Sequence, residues 1–215
     1  MDFLPVASLR PDLTHLLPGL LDPRLDALVV EVAMDFCRRT LFSQETVGPY
    51  GMIENDNVLT LDAPDASRTT VTQAISGTVQ GLPLEAASEA QLNRIAPNWR
   101  TISGRPTHFI AVDRTSVRLV PTPAETVADA IYLQVAVVPR VGATVIDRRV
   151  VEEFRQALVD GVLARAYAHP NKPYSSPGLV ELHRGLYETQ VSEAKARASA
   201  GFHSVALRAD PRRVA

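Results

Sequence analysis

Apolar residues late in the chain recur at steps of three and four. Val150, Phe154, Ala157, Gly161, Ala164 and Ala168 fall on one face, the pattern of an amphipathic helix. Val151, Leu158 and Val162 widen this stripe, and Glu152, Arg155, Gln156 and Asp160 are assigned to the wet side. Asp147 suits the N-cap, with Glu152 and Glu153 beside the positive helix end. Pro170 stops the helix in the turn His169–Ser175, because proline has no amide donor and clashes with the preceding turn. Ser176-Pro177 then reads as N-cap and first residue of a second helix. Leu179, Leu182, Leu186, Tyr187, Val191, Ala194 and Ala198 are predicted as its buried face, and Gly201 as its stop. The stretch 147–201 is therefore predicted to be an antiparallel helical hairpin, each arm about 30 Å long at 1.5 Å per residue.

Earlier segments read differently. Residues 1–21 have weak periodicity and three prolines, which predicts an irregular arm or a short interrupted helix. Asp22-Pro23 opens a helix whose stripe is Leu25, Leu28, Val29, Val32, Ala33 and Phe36 and whose end carries Arg38 and Arg39, a favourable place for cations. From about Val47 to Val138 the pattern shifts to period two. Strands are predicted over 58–61, 69–77, 78–84, 107–112, 117–120 and 131–138, the last with Ile131, Leu133, Val135 and Val137 on one face. Ser88-Glu89-Ala90-Gln91 carries the spacing of a capping box and predicts a short helix before Pro97. The expected class is α+β: a helical bundle, made of one early helix plus the C-terminal hairpin, with an inserted β-rich domain and an extended C-terminal arm. The expected divisions are 1–45, 46–146, 147–201 and 202–215.

Composition narrows the functions open to such a chain. With 215 residues and 46% hydrophobic content, a sizeable core is within reach. The net charge of −2 gives no general attraction to nucleic acid or membrane. Cys37 is the one cysteine, which excludes an internal disulfide and suits a small buried residue. No apolar run approaches the ~20 residues that span a bilayer. The amino end lacks the basic start of a secretion signal, so the chain is expected to be made in the cytoplasm. The segment 202–215 carries +2, leaving −4 for the rest; a mildly basic end without a helical stripe is expected to become ordered on a partner.

Candidate chemistry is sparse. The histidines at 15, 108, 169, 183 and 203 show no zinc-ligand spacing. His108, Asp113 and Ser116 form a hydrolytic triad on paper, but such a triad needs mutual geometry. Gly77 and Gly81 lack the lysine of a phosphate loop and suit turn chemistry. Glu152-Glu153 is explained by the helix dipole, and the Arg38-Arg39 and Arg148-Arg149 pairs by solvated ends. Neither catalysis nor a metal or cofactor is expected.

One set of motifs points further. Asp22-Pro23 precedes the helix ending Phe36-Cys37-Arg38-Arg39-Thr40. Trp99 precedes Gly104-Arg105-Pro106-Thr107-His108-Phe109, and Val117-Arg118-Leu119-Val120-Pro121-Thr122-Pro123 follows. Leu163 leads into His169-Pro170-Asn171-Lys172-Pro173-Tyr174-Ser175. In order and spacing this resembles the head-to-tail connector or adaptor proteins of tailed bacteriophages, tail tubular protein A-like in the podophage branch, over residues 20–201. The resemblance implies a virion protein of the neck that assembles as a ring, usually dodecameric, between portal and tail nozzle or tail tube. Double-stranded DNA would pass through it without specific binding, and a tail fibre would be a further neighbour. It also implies that the C-terminal arm grips the portal, which assigns that contact to Phe202, Val205, Leu207, Arg208, Arg212 and Arg213. The rival readings are a head-completion or tail-terminator ring and, from another class, a β-domain ligand-binding module.

Overall fold

The computed structural model describes residues 2–200. A strand β1 (Phe3–Pro5) leads through a tight 3-10 turn at Val6–Leu9 into a single helical turn, α1 (Arg10–Leu13). The long helix α2 (Asp22–Thr40) follows, and Leu41 stops it in the left-handed conformation. The chain then lays down β2 (Gln44–Met52), β3 (Val58–Thr60), β4 (Thr69–Val79) and β5 (Leu82–Ala86), and crosses helix α3 (Glu89–Ile95). Short β6 (Ser103–Gly104) precedes the hairpin of β7 (His108–Ala111) and β8 (Ser116–Val120). After β9 (Thr122–Pro123) come β10 (Val127–Pro139) and β11 (Val145–Asp147), then α4 (Arg148–Glu153), α5 (Arg155–Tyr167) and α6 (Pro177–Ala200).

Seven strands form one sheet in the order β2-β10-β4-β5-β7-β8-β3, antiparallel except where β5 runs parallel to β7. Strand β10 is its spine, with β2 on one side and β4 on the other. Ile131, Leu133, Val135 and Val137 alternate into the sheet core with Val71, Val79, Leu84, Phe109 and Leu119. Register shifts along both ladders of β10 bend and curl the sheet, since an extra residue on one strand increases local twist. Strand β4 approaches so closely that a Cβ at Gly77 would lie 2.6 Å from the Tyr132 carbonyl oxygen. Strand β2, absent from the sequence expectation, contains Gly48 and Pro49. Proline is tolerated there because β2 is an edge strand.

The helices occupy the β10 side of this sheet. Their core joins Leu25, Leu28, Val32 and Phe36 of α2 to Leu158, Val162 and Ala166 of α5 and to Val180, Tyr187, Val191 and Ala194 of α6. Phe154, between α4 and α5, packs its ring 5.1 Å from Phe36 and 4.9 Å from Phe42. The same core takes in Val138 from β10 and Ile146 from β11.

This arrangement corrects the expected helical bundle with an inserted β-rich domain. The fold is α+β, but the β-rich part between residues 44 and 139 dominates it, and the helices share their core with strands. Three smaller corrections have the same cause. Of the two readings of residues 1–21, the irregular arm is set aside and short helical turns are present at Val6–Leu9 and Arg10–Leu13: β1 pairs with β11, and Val6, Leu9, Leu13 and Leu17 are buried. The first helix of the hairpin is broken at Phe154 (φ −124°, ψ 32°). Asp160, assigned to the wet side, is buried. In each case contacts from distant segments override a local period.

Gly161 marks the closest approach of three helices. A Cβ there would lie 2.5 Å from Val32 Cγ1 and 3.1 Å from the Tyr187 ring. Gly161→Ala is expected to lower stability by about 1–3 kcal/mol, the cost of overpacking, against the ~1 kcal/mol that alanine gains over glycine in an open helix. Denaturant unfolding measures the difference; a stabilised variant would show that the helices separate easily.

Candidate functional site

Within the described residues, polar side chains concentrate where helices meet. A groove of about 470 Å³ runs over α2, α5 and α6, floored by Gly161, Ala164 and Ala168 and walled by charged side chains. Tyr187 donates its hydroxyl to Asp35 Oδ2 at 2.8 Å. Arg39 Nη1 donates to Glu188 Oε1 at 2.8 Å, and its Nη2 bonds the other carboxylate oxygen. Arg39 and Arg165 each also stand 3.6 Å from Asp35. Burial, and then the bond to Asp35, push the Tyr187 phenol up. The Arg39 guanidinium holds the Glu188 carboxyl below its usual range. The groove is a fastening between helices.

Two more polar nodes serve the same end. Buried Asp160 receives Gln156 and Gln190 at 3.3 Å and stands 2.8 Å from His183 Nδ1. Buried Asp147 caps α4 by accepting the Arg149 amide and takes the Ser43 hydroxyl at 2.6 Å. Arg149 in turn reaches the Gln44 carbonyl and Glu45, tying α4 to the start of β2.

Apolar surface is the other notable feature. Leu179, Leu182 and Leu186, expected to face the core, are instead 39%, 55% and 44% exposed, while Val180 and Tyr187 are buried. The neighbouring positions divide because α6 turns its 180–187–191–194 row toward α5, leaving the leucines on its flank. On α2, Ala27, Val30 and Met34 line an apolar groove of about 560 Å³, closed by Pro5, Val6 and the loop at Val141–Thr144. Val141 is 86% exposed at its lip. Both surfaces escaped the sequence reading, since periodicity shows that a residue is apolar but not which of two rows is covered.

The sequence candidates are spread apart. The β7–β8 register pairs His108 with Val120 and Ala111 with Val117, so His108 lies at the opposite end of the hairpin from Asp113 and Ser116. Asp113 accepts the Thr115 amide at 2.7 Å, and the hydrogen bonds of this turn keep its carboxyl below the usual range. Gly81 sits in the β4–β5 turn at φ +76°, and Gly77 is a packing position. Glu152 pairs with Arg148, and Glu153 with Arg197. Cys37 is buried, which raises its thiol pKa. Among the described residues no group of three or more His, Cys, Asp or Glu is placed to hold a metal, and no helix is long and apolar enough to cross a membrane. Phe202, Val205, Leu207, Arg208, Arg212 and Arg213 lie outside the described residues.

A fold fastened by polar nodes and presenting apolar faces suits a protein that works by contact with other proteins. The model of the SU10 adaptor protein family matches residues 5–211, and the chain belongs to that family. It is thus a bacteriophage adaptor protein. No curated protein matches it.

The Tyr187 phenol gives a pH signature. Its folded-state pKa is raised, so its contribution is complete below the ordinary tyrosine value of about 10 and is lost as pH rises beyond it. Tyr187→Phe is expected to cost about 1 kcal/mol at neutral pH, one hydrogen bond, and to flatten the alkaline decline. Stability measured from pH 8 to 11 in both proteins checks this; parallel curves would mean that the phenol does not govern the decline.

Proposed function

We propose that this chain is a structural, non-enzymatic component of the virion neck that closes into a ring between the portal and the tail nozzle or tail tube. The observation carrying this reading is the adaptor-family match across nearly the whole chain. The order of its motifs, like that of podophage tail tubular protein A, supports the neck position and a dodecameric ring. Closure requires head-to-tail contacts between copies, each presenting two different patches; the exposed leucines of α6 and the apolar groove on α2 are patches of that kind. The ring lets the genome through. A charge of −4 outside the last fourteen residues suits a passage that must not hold DNA, since phosphate binding grows with the number of cations it meets.

The segment 202–215 serves as the portal-binding arm. Phe202, Val205 and Leu207 supply apolar anchors, and Arg208, Arg212 and Arg213 supply cations able to make two-pronged bonds to carboxylates. Deleting 202–215 is expected to weaken docking on isolated portal at least about tenfold, or ~1.4 kcal/mol, with thermal unfolding unchanged. Docking at unchanged affinity would rule this arm out.

A further inference from the structure

The turn between α5 and α6 meets the linker that leads into α2, and together they line a pocket of about 360 Å³. Gly19 bends the linker at φ +84°, where a Cβ would stand 4.0 Å from Pro173 Cγ. Asn171, in the left-handed region at φ 60°, and the Ser175 amide, which donates to the Lys172 carbonyl at 2.9 Å, fix the turn. Leu21, Leu28 and Pro173 give the pocket apolar walls. Arg24, His169 and Lys172 supply its polar side, and none of its lining residues is Asp or Glu. Lys172 makes no ion pair among the described residues. Asp22 and Asp26, the acids next to Arg24 along α2, are held by Arg10, and Arg24 itself reaches only Glu31, at 4.0 Å. Apolar walls with uncovered cations suit a ligand that brings an apolar group and a carboxylate side by side.

The chain carries such a group in the turn between β2 and β3. Ile53 is 57% exposed there. Beside it Glu54 and Asp56 are exposed and form no ion pair among the described residues. Arg118, opposite Val58 in the β3–β8 register, forms none with them. Asp56 Oδ1 accepts the Val58 amide at 3.1 Å, whereas the Glu54 carboxylate is wholly uncommitted. The backbone of the turn is already fixed in a single copy. The Asn55 amide donates to the Pro123 carbonyl at 3.0 Å, the Asp56 amide to the Ile53 carbonyl at 3.1 Å, and the Glu54 amide to the Thr126 hydroxyl at 3.0 Å. A turn held in this way enters a pocket with little further ordering cost.

We propose that the Ile53-Glu54-Asn55-Asp56 turn of one copy seats in the Arg24–Lys172 pocket of the next copy of this chain. Ile53 then covers Leu21, which is 75% exposed in a single copy, and the two carboxylates meet Lys172 and Arg24. The inference rests on the ring reading and gives it a contact. Turn and pocket share no residue, so the contact is heterologous and leaves one free turn and one free pocket at the ends of any open assembly. Repetition continues until the ends meet. Charge also opposes the rival two-fold dimer, because turn against turn or pocket against pocket would set like charges together.

Lys172 and Lys195 are the only lysines of the chain, so a zero-length carbodiimide, which joins an amine to a carboxylate it touches, reports the contact directly. The full chain, half of it isotopically heavy, is assembled alone and on the portal, coupled, and mapped by peptide mass. The expected product joins Lys172 to Glu54 or Asp56, with light and heavy chains paired in one peptide. Rings in which Lys172 couples to neither, or couples to the portal instead, would overturn this interface while leaving the ring standing. If no assembly of several copies forms under either condition, the ring reading falls and the interface with it. Charge reversal gives a second measure. Lys172→Glu and Glu54→Lys, both at exposed positions, are each expected to weaken self-association about tenfold at unchanged melting temperature. An equal mixture of the two variants is expected to recover it, since alternating copies then present complementary charges at every contact. Undiminished association of the single variants, or no recovery in the mixture, would overturn the proposal.

Discussion

Strand β10 is the constraint on which the rest of the structure depends. It pairs along both edges, with β2 and β4, and contributes four alternating residues to the sheet core. Its penultimate residue, Val138, lies in the core built by the helices. Burying these side chains contributes on the order of 1.5–3 kcal/mol each, and all of it is lost together if the strand leaves. Sheet and helices are therefore held to one another through a shared strand as well as by contact between their faces.

The helical layer has little freedom left around that strand. Phe154, Phe36 and Phe42 fix where the helices meet the start of β2, and Gly161 lets α5 close onto α2 and α6. Asp147 and Arg149 lock the entry to α4 against Ser43 and Glu45. Buried carboxylates are costly without partners, and both Asp147 and Asp160 have them. Rigidity of this kind suits an adaptor, whose contacts with neighbours work best when no ordering cost accompanies binding.

Much of this was legible in the residues. The capping box at Ser88 is present with both of its bonds, the alternation of 131–137 is the spine of the sheet, and Pro170 and Pro177 bracket the turn before α6. The order of motifs led to the adaptor proteins of phages, and the family match agrees at that level. What escaped is non-local. A helical bundle with an inserted domain follows from reading helices and strands as separate blocks, whereas Val138 and Ile146 enter the helical core from strands. The pairing of β1 with β11 joins residues some 140 apart, beyond any local period. The exposed leucines of α6 went unseen because the stripe was drawn wide enough to include them with Tyr187.

Equilibrium unfolding followed by two probes tests most directly whether one strand binds sheet and helices into a single unit. Trp99, the sole tryptophan, lies with Leu92 of α3, Ile110 and Val120 beside the β7–β8 hairpin, with β4 and β5 between that hairpin and the β10 strand that meets the core of α2, α5 and α6. Its fluorescence reports that end of the sheet, and circular dichroism at 222 nm reports the helices. Coincident transitions with one midpoint are the expected result for a two-state unit; two separated transitions, with Trp99 unfolding independently of the helices, would contradict it.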